Sequence, residues 1–206
     1  MRTILVANRK GGCGKTMAAI TVAAALAADG RRVALADADA QKSALYWLRA
    51  RPAGAAPIAG LDWTHKGDVG GAPKAIDWLV VDAPGALKDA RAEALIAEAD
   101  RVVAPVLPSA FDADSTRRFL REIEALKRIR KGRASVHLVA NRMRTGRAGE
   151  RQRAFLDEIG QTAVAWIAER SAYADLAAQG LSVFDRPQRS YVKLQEQWRP
   201  LLDAVA

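Results

Sequence analysis

Residues 3–16 read Thr3-Ile4-Leu5-Val6-Ala7-Asn8-Arg9-Lys10-Gly11-Gly12-Cys13-Gly14-Lys15-Thr16, and an Ala-rich helical run follows from Met17. The first five residues make a short buried strand. Gly11, Gly12 and Gly14 then remove side chains where backbone N–H groups must approach an anion, and the following helix adds the partial positive charge of its N-terminus. Against the pattern G-x-x-x-x-G-K-[ST], the stretch has Arg9 where the first glycine belongs. It keeps the ending Gly14-Lys15-Thr16 and the strand–loop–helix setting. It reads as a variant phosphate-binding loop. Lys15 is expected to reach the β- and γ-phosphates, and the Thr16 hydroxyl to ligate Mg²⁺, a hard cation that takes oxygen donors. Cys13 fills a position of the pattern open to any residue, and with no partner system in sight no thiol chemistry is expected of it.

Outward from this loop, apolar runs at 32–36, 78–81, 101–106 and 136–140 alternate with helical stretches. Near-continuous apolar strands separated by helices predict a doubly wound α/β fold, a mostly parallel sheet with helices on both faces. Gly30, followed by Arg31 and Arg32, ends the first helix. Residues 52–74 hold three prolines and five glycines, which predicts a long irregular connection with one short strand around Trp63. Leu194, Trp198, Leu201, Leu202 and Val205 recur at helical spacing, interrupted by Pro200, and predict a terminal helix packed on the core. A membrane-surface helix would need a richer basic face than Lys193 and Arg199. With no repeat or separable linker, a single domain over residues 1–206 is expected.

The chain of 206 residues is 50% hydrophobic and 27% charged, enough to bury a sizeable core and too apolar for disorder. No run approaches a membrane span, and the N-terminus lacks a signal-peptide pattern, so the cytoplasm is the expected compartment. A single cysteine, Cys13, excludes an internal disulfide framework and a cysteine-bridged cluster within one chain. His65 and His137 stand alone, without a ligand constellation. The net charge of +9 is concentrated: between Arg117 and Arg153 lie thirteen Lys/Arg and three acids. Biased codon usage and solvated helix faces are one reading of this composition; the clustering favours a surface that grips nucleic-acid phosphates without reading sequence. Its candidate members are Arg117, Arg118, Arg121, Arg128, Arg130, Arg147 and Arg151, with Arg117, Arg121 and Arg128 sharing one helical face near Glu124.

Lys10-Gly11-Gly12-Cys13-Gly14-Lys15-Thr16 resembles the deviant Walker A box of the ParA/MinD ATPases, which carries an extra lysine at its start. Three further segments extend the likeness. Asp37-Ala38-Asp39-Ala40-Gln41 resembles the switch I sequence D-x-D-P-Q. Val80-Val81-Asp82-Ala83-Pro84-Gly85 resembles the Walker B and switch II segment, and Pro105-Val106-Leu107-Pro108-Ser109 a later loop beside the nucleotide. Order and spacing fit almost end to end, most closely to small plasmid-partition ParA proteins without an N-terminal operator-binding domain. The resemblance implies ATP/ADP and Mg²⁺ as cofactors and an ATP-dependent homodimer, with Lys10 reaching phosphate across the dimer interface. It gives Asp39 the attacking water to orient, Asp37 a place supporting the metal shell and Asp82 the Walker B role. It brings Gly11, Gly12, Cys13, Gly14, Met17, Pro108, Asn141 and Arg142 to the nucleotide, Asn141 at the adenine. Read from the residues alone, Asp37 and Asp82 end apolar strands on the edge where open α/β sheets bind ligands, although helix caps also sit there. Asn141 would also serve as an ordinary turn residue.

The chain departs from the family pattern at Ala40, where proline is usual, at Arg9, where glutamine is frequent, and at Met17, where a second hydroxyl residue is usual. None removes a phosphate or metal contact, while Ala40 bears on switch I and the hydrolysis rate. The function implied is slow, partner-stimulated, Mg²⁺-dependent ATP hydrolysis coupled to non-specific DNA binding on the nucleoid, driving plasmid or chromosome partition with a centromere-binding partner. The same engine would alternatively position a protein cargo through a small adaptor, such as a chemoreceptor array or a carboxysome-like compartment. A MinD-like membrane-cycling regulator and a non-hydrolysing adaptor are further readings, and no stable membrane association is expected.

Overall fold

The computed structural model describes residues 1–65, 69, 71–85, 89–109, 113–125, 127–158 and 160–206. Its elements run β1 (Arg2–Val6), α1 (Lys15–Ala28), β2 (Val33–Asp37), α2 (Ser43–Ala50), β3 (Ile58–Asp62), β4 (Trp78–Asp82), α3 (Asp89–Glu98) and β5 (Arg101–Val106). They continue through α4 (Ala113–Glu124), α5 (Lys127–Arg130), β6 (Ser135–Met143), α6 (Gly146–Glu158), β7 (Ala165–Ala168), α7 (Ser171–Ala177) and α8 (Arg189–Val205). Seven strands form one sheet in the order β3-β2-β4-β1-β5-β6-β7, and every pairing is parallel.

The apolar strands are continuous because both of their faces are covered. Ile4, Val6, Leu35, Val80, Val103 and Ile167 pack under α1, α2, α7 and α8. Their neighbours Leu5, Ala36, Leu79, Val81 and Ala104 pack under α3, α4 and α6. α1 is buried around nearly its whole circumference, which an Ala-rich helix permits by lying close to the sheet. It ends as a Schellman motif: Gly30 at φ 76° lets its own N–H reach Ala27 O and the Arg31 N–H reach Leu26 O.

Four sequence expectations change. The strand expected around Trp63 is β3, which stops one residue short of it. β7, only four residues long, has no counterpart in the sequence reading. α8 runs unbroken through Pro200, whose exposed position leaves the Glu196 carbonyl facing solvent instead of an empty core. The basic helix expected to carry Arg117, Arg121 and Arg128 together ends at Glu124, and Arg128 belongs to the separate short α5.

Parallel strands bring their C-terminal ends to one edge. Val6 is in register with Asp82, and Asp82 with Asp37, so the loop after β1 faces two carboxylates where such sheets bind ligands.

Candidate functional site

Gly12 (φ 75°) and Gly14 (φ 94°) give the loop between β1 and α1 its left-handed turns, and Gly14 is the residue from which α1 starts. The buried Asn8 anchors its root. Asn8 Nδ2 donates to Pro105 O at 2.7 Å, and Asn8 Oδ1 accepts from the Lys10 N–H at 3.0 Å. Lys15 is 7% exposed, and its Nζ donates to Lys10 O at 3.2 Å, so the ammonium lies along the loop. Cys13 is wholly buried, and burial pushes its thiol up. The position is therefore less open than the pattern suggests, and the residue is inert.

Asp82 is 1% exposed and neither of its oxygens completes a hydrogen bond. Burial pushes its pKa up to about 7 against the pull of the nearby Thr16 hydroxyl and Lys15, and Asp37 and Asp39 raise it further. A buried carboxylate without partners is costly unless a cation supplies the missing charge. Asp82 and the Thr16 hydroxyl are the hard oxygen donors such a cation takes, so the residues fit Mg²⁺. When bound there, Mg²⁺ would neutralise and orient phosphate oxygens.

Asp37, expected to support the metal shell, accepts three backbone hydrogen bonds. Its Oδ1 accepts from the Asp39 N–H at 3.0 Å, and its Oδ2 from the N–H groups of Ala44 at 2.9 Å and Leu45 at 3.1 Å. It thus caps the first turn of α2 from outside the helix. Burial still raises its pKa. Asp39 joins two segments: Oδ1 accepts from the Gln41 N–H and Oδ2 from the Gly85 N–H, each at 3.0 Å.

Beside the loop lies a cavity of about 270 Å³ lined by Gly14, Met17, Asn141, Arg142, the end of β7 and the start of α7. Met17, Asn141 and Arg142 come together there as the sequence implied. Pro108 does not; with Ser109, Arg144 and Arg151 it lines an adjoining cavity of about 410 Å³, which shares Arg142. The residues from Ile167 to Ala174 are the part of the site that sequence reading missed, because β7 itself was missed.

The model of the CobQ/CobB/MinD/ParA nucleotide binding domain matches residues 4–183. The chain belongs to this family. It is 31% identical over 188 residues to the maintenance of carboxysome distribution protein A of Halothiobacillus neapolitanus, covering 88% of this chain and 86% of that protein. The ATP complex of a Cyanothece McdA variant superposes with a TM-score of 0.74 at 18% identity, covering 100% of this chain and 95% of that one. The MinD protein of Pyrococcus horikoshii with Mg-ADP gives 0.72 at 19%, covering 100% and 98%. The family match and the shared fold make this a ParA/MinD-type P-loop NTPase chain.

In this ParA/MinD chain the basic residues gather on one layer. α4 and α6 pack on the same sheet face; Arg118, Arg121, Arg130, Arg147 and Arg151 are exposed, and Arg117 is half-buried. The Arg128 side chain lies outside the described residues. Arg153 is also exposed and stacks on a neighbour, its guanidinium 4.3 Å from the Trp166 ring centroid. Lys10 is half-buried within the loop. Glu124 was the expected acidic neighbour, but it is Glu122 that pairs, with Arg9 of the phosphate loop. Among the described residues no helix is long and apolar enough to cross a membrane.

Proposed function

We propose that this ATPase positions a protein assembly of the carboxysome type along nucleoid DNA, using ATP-dependent dimerisation as the switch. The similarity to a carboxysome-distribution protein over 88% of this chain carries the choice of cargo. It favours the cargo-positioning alternative over plasmid partition, and an adaptor on the compartment surface over a centromere-binding protein. Thr16 and Asp82 hold Mg²⁺, and Lys15 grips the β- and γ-phosphates. Lys10 reaches the nucleotide of the second protomer, so the cation that neutralises developing charge arrives only with the dimer. Asp39 leaves Gly85 to orient the attacking water. Met17, Asn141 and Arg142 face the base, and Pro108 the outer side of the nucleotide. The exposed arginines of α4, α5 and α6 hold DNA phosphates without reading sequence.

The test is a deletion in the native host combined with purified-protein assays. Compartments that clump or cluster at one pole, with hydrolysis raised by DNA and a compartment adaptor together, are the expected outcome. Evenly spaced compartments accompanied by plasmid loss would reverse the choice of cargo.

A further inference from the structure

β6 is irregular where it meets the nucleotide site. Its pairing with β7 shifts register between Ala140 and Met143, and within the shift Arg142 takes φ 53°, a left-handed conformation rare for a residue with a side chain. Bulges of this kind re-aim a neighbouring side chain. Here the neighbour is Asn141. Its Nδ2 donates to Cys13 O at 2.8 Å, 128 residues away, while its Oδ1 accepts from the Arg142 N–H at 2.9 Å. An acceptor on one side and a donor on the other fix which end of the amide is which. Gln152 Nε2 donates to Arg142 O at 3.2 Å and Gln152 Oε1 accepts from the Arg144 N–H at 2.7 Å, so α6 holds the strained turn. The fit against the loop is tight: a Cβ on Gly14 would stand 2.2 Å from Asn141 Nδ2.

We infer that Asn141 is a positioning residue for the phosphate loop, in addition to any contact it makes with the base. The Cys13–Gly14 peptide is planar and trans, so holding the Cys13 carbonyl toward Asn141 turns the Gly14 N–H the other way. One hydrogen bond thereby sets the orientation of a donor at the N-terminus of α1, where anions bind. Two of the four hydrogen-bonding capacities of the amide are used in this way, and two remain for a ligand.

The inference rests on the phosphate-site reading above, and the experiment separates the two by using a ligand without a base. Affinities for ATP and for inorganic tripolyphosphate, each with Mg²⁺, are measured on the unaltered protein, Asn141→Ala and Asn141→Asp. Asn141→Asp keeps the acceptor for Arg142 but faces the Cys13 carbonyl with another oxygen. A loss of about tenfold for both ligands, with the ATP-to-tripolyphosphate ratio unchanged, is expected of either variant, in line with one charged-ligand donor misplaced. Melting midpoints of the ligand-free variants report any general loss of stability, which would lower the midpoint without lowering affinity well below it. If Asn141→Ala does not fold, Asn141→Asp alone decides. Loss of ATP affinity with tripolyphosphate unchanged makes Asn141 a base ligand only and overturns the inference, as does no loss for either. An unaltered protein that binds ATP but not tripolyphosphate also overturns it. One that binds neither removes the phosphate-site reading itself and this inference with it.

Discussion

The Arg9 guanidinium in the phosphate loop contacts the Glu122 carboxylate on α4 at 2.5 Å, across 113 residues of sequence. It ties the nucleotide loop to the helix that exposes Arg118 and Arg121. With the two side chains 30% and 48% exposed, the pair contributes about 0–1 kcal/mol to stability. Its larger effect is on surface charge, because Glu122 stands among the arginines. Glu122→Gln is expected to leave the melting midpoint within about 4 °C and to raise DNA affinity about threefold at low salt, an advantage that vanishes at high salt. Gel-shift titrations over a salt series check this, and unchanged affinity at low salt would separate α4 from the DNA surface.

Reversing Arg118 and Arg121 to Glu together is expected to weaken DNA binding by more than tenfold in moderate salt. The slope of log affinity against log salt should become shallower by about two. An unaltered slope would move the DNA surface elsewhere.

Lys15 is buried against the loop backbone. Lys15→Ala is expected to lower ATP affinity more than a hundredfold, and with it nucleotide-dependent dimerisation. Calorimetric titration and light scattering read the two effects; retained ATP affinity would count against the P-loop assignment.

Asp82 supplies a pH dependence whose sign follows from burial. Its native pKa of about 7 lies above the ordinary 3.8, so folding takes up a proton between these values. Stability of the magnesium-free protein therefore falls as pH rises through this window, and the full cost is present above about pH 7. Asp82→Asn is expected to raise the melting midpoint by several degrees at pH 8, a gain that shrinks toward pH 4, while Mg²⁺-dependent nucleotide binding is lost. Thermal melts at both pH values with a chelator present test it; a variant less stable at pH 8 would contradict the account.

Arg51 closes the far end of α2 against the segment before α8. It meets Asp185 in two hydrogen bonds, of 3.0 and 2.7 Å, with side chains only 6% and 5% exposed, and also donates to Gly180 O and Ala56 O. Removing one member of a buried pair strands the other charge, so Asp185→Ala is expected to cost about 3–5 kcal/mol. Urea unfolding measures this, and a loss under about 1 kcal/mol would mean that water reaches the Arg51 guanidinium.

Local pattern made much of this protein legible from its residues. β1, the glycine loop and α1 are contiguous, so a run of about a dozen residues carries strand period, turn chemistry and helix start together. Asp37 and Asp82 were readable as strand-end carboxylates because each closes a buried run. The sheet class followed from strands too continuously apolar to leave either face in water. Tertiary structure alone decided which carboxylate stays unpartnered. Asp37 and Asp82 look alike in sequence, but the turn into α2 brings three backbone donors to Asp37 and none to Asp82. The contacts of Asn141 with Cys13, Arg9 with Glu122 and Asp39 with Gly85 were equally hidden. They join segments 128, 113 and 46 residues apart, and such distances are set by strand order and crossover packing, which leave no periodic trace in the chain. β7 escaped for the same reason: four residues carry too little pattern to declare a strand, and pairing with β6 makes them one.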